Sequence, residues 1–208
     1  MKTTAGRGRI DKRQAILAAA FVVFARRGYD QACMQEIADE AGVAKPTVYN
    51  HLTDKENLFR HAVLAAADAV LAENLAVVER LRTPGTDLRA TLADVAYRLA
   101  RVCAGERCRA LRSLTYGQAA QFPELIDDVR TRTSDRLTDA LADRLARLSL
   151  AGLFRQGDPA LAAEQFLALL TGPLEARSRA GTHAVSAANT RIVANAAVDT
   201  FLRAYRPE

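Results

Sequence analysis

Residues 35–59 read QEIADEAGVAKPTVYNHLTDKENLF, and the spacing inside this run decides the fold of the N-terminal part. With Met34 just ahead, the apolar positions are Ile37, Ala38, Val43, Val48 and Leu52. Ala38 is small enough to let a second helix cross closely, and Gly42 permits the positive φ of a tight turn. Two short helices joined by such a turn are expected, over 34–41 and 45–52. Generic helix packing gives a similar apolar pattern, so the opposite face has to decide. At about 100° per residue Val48 and Leu52 share one direction, the buried one, and Asn50 points away from them. Pro46 and Thr47 flank Asn50, Tyr49 and His51 lie on the shoulders, and Lys45 opens the helix. An amide, a hydroxyl and an apolar ring between groups that donate to phosphates suit base edges in a major groove bracketed by backbone contacts.

The rest of the chain reads as helix and turn, an all-α fold. A helix over 11–27 carries Ile16, Leu17, Ala20, Phe21 and Phe24 on one face, and Gly28 follows as a stop. Thr53 and Glu56 form a capping box that starts a long helix to about residue 82, ended by Thr83-Pro84-Gly85. Lys55 stands at that start, where the dipole and the free amides favour a phosphate. Five further helices are expected, at about 87–104, 107–120, 124–150, 158–180 and 187–205, for about nine in all. Leu137, Leu141, Leu145 and Leu148 make a stripe on one of them, and Pro173 is placed to kink or split another.

Charge placement supports a polyanionic partner. The formal net charge is +5, and Lys2, Arg7, Arg9, Lys12 and Arg13 stand against Asp11 alone in the first thirteen residues. Such an arm is an electrostatic footprint for phosphate backbones, which makes Arg7 and Arg9 candidate phosphate contacts. No apolar run reaches the ~18–20 residues of a membrane span. The apolar stretch from Ala15 is broken by Arg26-Arg27 and lacks a signal-peptide cleavage site, so a cytoplasmic, nucleoid-associated place is expected. Cys33, Cys103 and Cys108 form no disulfide or metal pattern, and His51, His61 and His183 are not adjacent, so no metal or cofactor is implied. No catalytic motif appears, which argues against an enzyme with a helical body. A basic peripheral membrane protein would need an exposed amphipathic helix, whereas the apolar face ahead of Arg26 is needed for a core.

The run GVAKPTVYNHLTDKENLF resembles the recognition segment of the tetracycline-repressor (TetR) family, and residues 10–60 are similar to its DNA-binding domain. The resemblance implies Lys45, Pro46, Thr47 and Asn50 near bases, and Tyr49, His51 and Lys55 on phosphates. It implies a helix-turn-helix domain over 10–53, running into the next helix to about residue 60, behind a flexible basic arm at 1–9. A ligand-binding and dimerising domain over 61–208 would follow. Ala44, Cys33 and Leu52 depart from the family pattern, where a capping Ser or Glu, a Thr or Ser, and a Phe are common. The step Gln121-Phe122-Pro123-Glu124-Leu125 resembles one subgroup of family bodies.

The implied partners are a pseudo-palindromic duplex, a second copy of the chain and a small-molecule effector. Candidate effector-pocket residues are Tyr97, Cys103, Tyr116, Phe122, Phe154 and Phe166. Arg98, Arg101, Arg109 and Arg112 recur on the same helices; if one faces inward an anionic effector follows, because a buried guanidinium needs a partner. Phe166 and the stripe Val193, Ala197 and Phe201 are the candidate dimer interface, since pairing two short recognition helices doubles the site.

Overall fold

The computed structural model describes residues 4–85, 87–179 and 182–207, with side chains from Lys12 onward. Among these residues the chain is all-helical: α1 (Thr4–Arg27), α2 (Met34–Glu40), α3 (Lys45–His51), α4 (Lys55–Val78), α5 (Leu88–Ala104), α6 (Glu106–Gly117), α7 (Pro123–Arg130), α8 (Arg136–Leu150), α9 (Pro159–Arg177) and α10 (Ala187–Tyr205). A 3₁₀ turn at Glu79–Arg82 extends α4, and a π-turn at Thr131–Asp135 joins α7 to α8. The single helix expected at 124–150 is therefore two helices around a widened turn. The first helix starts at Thr4, well ahead of Asp11, so the arm read as flexible from 1 to 9 is helical from Thr4 onward. α9 runs through Pro173 to Arg177 without splitting.

The chain forms two compact units, one of residues 1–69 and 110–132, the other of residues 70–109 and 133–208. The sequence boundary near residue 60 thus falls inside α4, and α6–α7 belongs largely with the first unit. In that unit Ile16, Leu17, Ala20, Phe21 and Phe24 are buried as their spacing predicts, together with Ile37, Ala38, Leu58 and Phe59. The second unit packs α10 on α5 and α9, and α8 on α9. Phe201 is its hub: Phe166 and Phe154 meet it edge-on at 5.0 and 5.6 Å, and Tyr205 stacks on it at 4.5 Å. Leu141, Leu145 and Leu148 of the expected stripe are buried there, with Leu137 at the edge.

Two local expectations need correction. Asp54, not a Thr53–Glu56 box, caps α4: its Oδ1 accepts from the Asn57 amide at 2.7 Å, and Glu56 pairs with Arg60 instead. Both capping residues stand side by side in sequence, and the carboxylate wins the amide because it is the stronger acceptor. The stretch Lys55–Arg82 does contain an 18-residue window of mean hydropathy 1.5, long and apolar enough by composition to cross a membrane. Its Leu58, Phe59, Ala62, Val63, Ala67, Val70 and Leu71 are buried within the protein.

The α1–α2 corner carries a surface cluster of ion pairs. Arg26 and Arg27 both reach Glu36, at 2.9 and 3.1 Å, and Arg26 also reaches Glu40. The bonds from Arg27 and then Arg26 hold the Glu36 carboxyl below its ordinary value of 4.5. A depressed carboxyl stabilises the fold above its unfolded pKa and stops doing so as pH falls through the folded one. Urea midpoints measured from about pH 5 down to about pH 3 should therefore fall less steeply in Glu36→Gln than in the wild type; equal slopes would contradict this.

Candidate nucleic-acid interface

α2 and α3 form the expected helix-turn-helix. Gly42 turns the chain at φ +64°, and a Cβ there would meet no atom within 4 Å, so the backbone conformation and not space calls for glycine. Cys33 caps α2, its Sγ accepting from the Glu36 amide at 3.4 Å, where a hydroxyl is usual in the family. Ala44 gives α3 no side-chain cap; its carbonyl accepts from the Thr47 amide at 2.8 Å.

Val48 and Leu52 are buried, at 0% and 4% exposure, and this fixes the rotation of α3. Lys45, Pro46, Tyr49 and Asn50 are consequently exposed, and Thr47 and His51 half-buried. The structure thus brings the residues expected near bases and two of those expected on phosphates onto one short helix. Lys55 differs, because its ammonium is already engaged. Nζ donates to the Asp30 carbonyl at 2.9 Å and lies over the Tyr29 ring at 4.8 Å, so it ties the loop before α2 to α4. The side chains of Arg7 and Arg9 lie outside the described residues.

The same unit contains an aromatic cluster. Tyr29 meets Phe59 at 4.9 Å and Phe122 at 5.3 Å, while Phe59 meets Phe24 and Phe122, each at 5.1 Å. Arg60 covers the Phe122 ring at 4.7 Å and pairs with Glu124 and Glu56. Arg132 pairs with Asp68 at 3.0 Å. Burial raises the pKa of the Tyr29 hydroxyl, with Glu56 adding to the rise and a hydrogen bond with Gln121 opposing it. The step around Phe122 is therefore built into the first unit, with the two short helices. The pairing of Arg60 with Glu124 is not legible in the sequence, since two residues so far apart in the chain carry no periodic signal.

The six candidate pocket residues divide between the two units, Tyr116 and Phe122 in the first and Tyr97, Cys103, Phe154 and Phe166 in the second. Phe122 is core of the first unit, and Tyr116 is 65% exposed. Phe154 and Phe166 are spent on Phe201, and the cavity of about 20 Å³ that Phe154 lines with Leu145, Ser149, Asp158 and Tyr205 holds no more than a water. Tyr97 and Cys103 alone remain at the edge of the second core. The dimer candidates are likewise corrected: Phe166, Val193, Ala197 and Phe201 are at most 3% exposed within one chain. Their stripe is the inner face of α10, which has to be apolar whether or not a partner exists.

The chain matches the family model "Bacterial regulatory proteins, tetR family" over residues 16–62 and "AefR-like transcriptional repressor, C-terminal domain" over residues 90–207. This chain belongs to the TetR family of transcriptional regulators. A solved TetR-family regulator from Mesorhizobium loti MAFF303099 superposes with a TM-score of 0.87 at 33% identity, covering 95% of this chain and 98% of that one. The flavonoid-responsive regulator FrrA superposes at 0.66 with 25% identity over 95% of this chain and 98% of its own. The transcriptional activator FasR of Mycolicibacterium smegmatis is 40% identical over 84 residues, 40% of this TetR-family chain and only 36% of that protein. The family consists of regulators and not enzymes, and its members bind operator DNA as dimers.

Phe122 supplies the check on this part of the structure. Phe122→Ala should destabilise the DNA-binding unit by about 3–5 kcal/mol, read as lost amide protection in α1 and the first half of α4. Unchanged protection there would refute the aromatic cluster.

Proposed function

We propose that the protein is a homodimeric repressor whose operator affinity is set by a small-molecule effector bound in its second unit. The observation that carries the DNA-binding half is the outward face of α3. With Val48 and Leu52 spent on the interior, Lys45, Pro46, Tyr49 and Asn50 are free to meet a duplex. Thr47 and Asn50 supply the hydroxyl and amide that read base edges; Tyr49 and His51 supply backbone contacts. The match to an AefR-like repressor body and the fold shared with a flavonoid-responsive regulator support the ligand-controlled half. Coupling of this kind is typically ~1–3 kcal/mol between the two sites. The place of action is the cytoplasm, on the nucleoid.

The outer faces of α9 and α10 support pairing with a second copy. Leu161 on α9 is 48% exposed and Ile192 on α10 is 58% exposed. Ala168, Gly172 and Ala196 are exposed beside them. A glycine within a helix costs about 1 kcal/mol relative to alanine, yet a Cβ at Gly172 would meet nothing within 4 Å beyond its chain neighbours and its own helix backbone. Close approach by a neighbouring helix accounts for it, and a two-fold dimer sets two α3 helices for two half-sites.

Binding to the duplex that the purified protein selects should weaken about ten- to hundredfold in Asn50→Ala and in Tyr49→Ala, with folding intact by circular dichroism. Binding unchanged in both would reject the reading. Gly172→Arg should run as a monomer in light scattering while the wild type runs as a dimer; a dimeric variant would reject the α9–α10 face.

A further inference from the structure

One buried side-chain nitrogen or oxygen among the described residues has no hydrogen-bond partner: Nε of Arg109, on the first turns of α6. Buried donors are paired as a rule, and each exception calls for a reason. Nearby arginines show the ordinary solutions. Arg107, on the same helix, pairs with Glu73 of α4. On α5 Arg98 pairs with Asp94, which Arg80 also holds, and Arg101 lies over the Tyr97 ring at 6.0 Å. Nε of Arg109 takes none of these, although the residue as a whole is only half-buried.

A guanidinium cannot shed a proton to relieve an orphan donor. A carboxylate laid along its Nε–Nη edge would fill the donor and balance the charge in one two-pronged contact. A neutral apolar ligand would leave Nε unmade, and a cation would be repelled. Arg109 is also the last residue of the second unit before α6 continues into the segment 110–132 of the first. α6 itself ends at Gly117, and Phe122 follows in the turn before α7.

We propose that Arg109 is the anion-recognising group of the effector site, and that the effector is a small organic molecule bearing a carboxylate. This rests on the reading of the second unit as ligand-sensing.

The test melts the full-length protein with a panel of sodium carboxylates, octanoate and benzoate among them, each against its uncharged amide. At least one carboxylate should raise the wild-type Tm where its amide does not. Arg109→Gln and Arg109→Lys should weaken that apparent affinity about ten- to hundredfold, and Arg107→Gln should leave it unchanged. Without ligand, Arg109→Met should melt about 2–4 °C higher than the wild type, because it removes the orphan donor and keeps the stem packed; an arginine with a purely structural role would melt lower when replaced. Equal shifts from carboxylates and amides, no shift from any carboxylate, or an unaltered response in Arg109→Gln would each overturn the proposal. These melts contain no DNA. A protein that answers to carboxylates and binds no duplex would therefore fail the regulator reading while keeping the Arg109 site.

Discussion

Burial of Val48 and Leu52 sets the rotation of α3, and every residue offered to DNA owes its direction to that burial. The helix has only seven residues and no side-chain cap, so its own propensity could not hold it. Its position comes from packing against α2, and α2 in turn packs on α1 through its buried Met34, Ile37 and Ala38, with the Arg26 and Arg27 pairs to Glu36 at the solvent edge. Turning α3 by one residue would bury Tyr49 and expose Val48. The reading surface is thus a by-product of the core.

The same unit recruits residues far along the chain. Phe122, at the entry to α7, completes the ring cluster of Phe24, Tyr29 and Phe59, and Arg60 clamps it from above by charge and by its flat face. Buried aromatic pairs of this kind each add about 0.5–1.5 kcal/mol beyond area burial. The family's DNA-binding segment ends in sequence near residue 62, yet the compact unit around it does not close without residues 110–132. α6 from Ala110 onward, α7, and Thr131 and Arg132 of the π-turn are structurally part of that unit.

The helices and the α3 surface were legible because their signals are local. Period and punctuation decide them: Gly28, Gly42, Pro84, Pro123 and Gly152 stand at or beside real breaks. What failed was tertiary. In an alanine-rich helix such as α10 the strongest apolar stripe, Val193 with Ala197 and Phe201, is the core stripe, and the weaker outer face with Ile192 and Ala196 is the one left for a partner. Aromatic side chains on body helices looked alike in sequence, although Phe122 went to one unit, Phe154 and Phe166 to the other, and Tyr116 to the surface. Arg98, Arg101 and Arg109 share one chemistry, and only the fold assigns them a carboxylate, a ring and an orphaned nitrogen.

The most direct measurement is selection of genomic fragments by the purified wild-type protein, followed by sequencing of what is retained. The account predicts enrichment of an inverted repeat whose half-sites are centred about 10 bp or a multiple of that apart, with retention falling steeply as salt rises. Retention without sequence preference, or enrichment of a single asymmetric site, would contradict it.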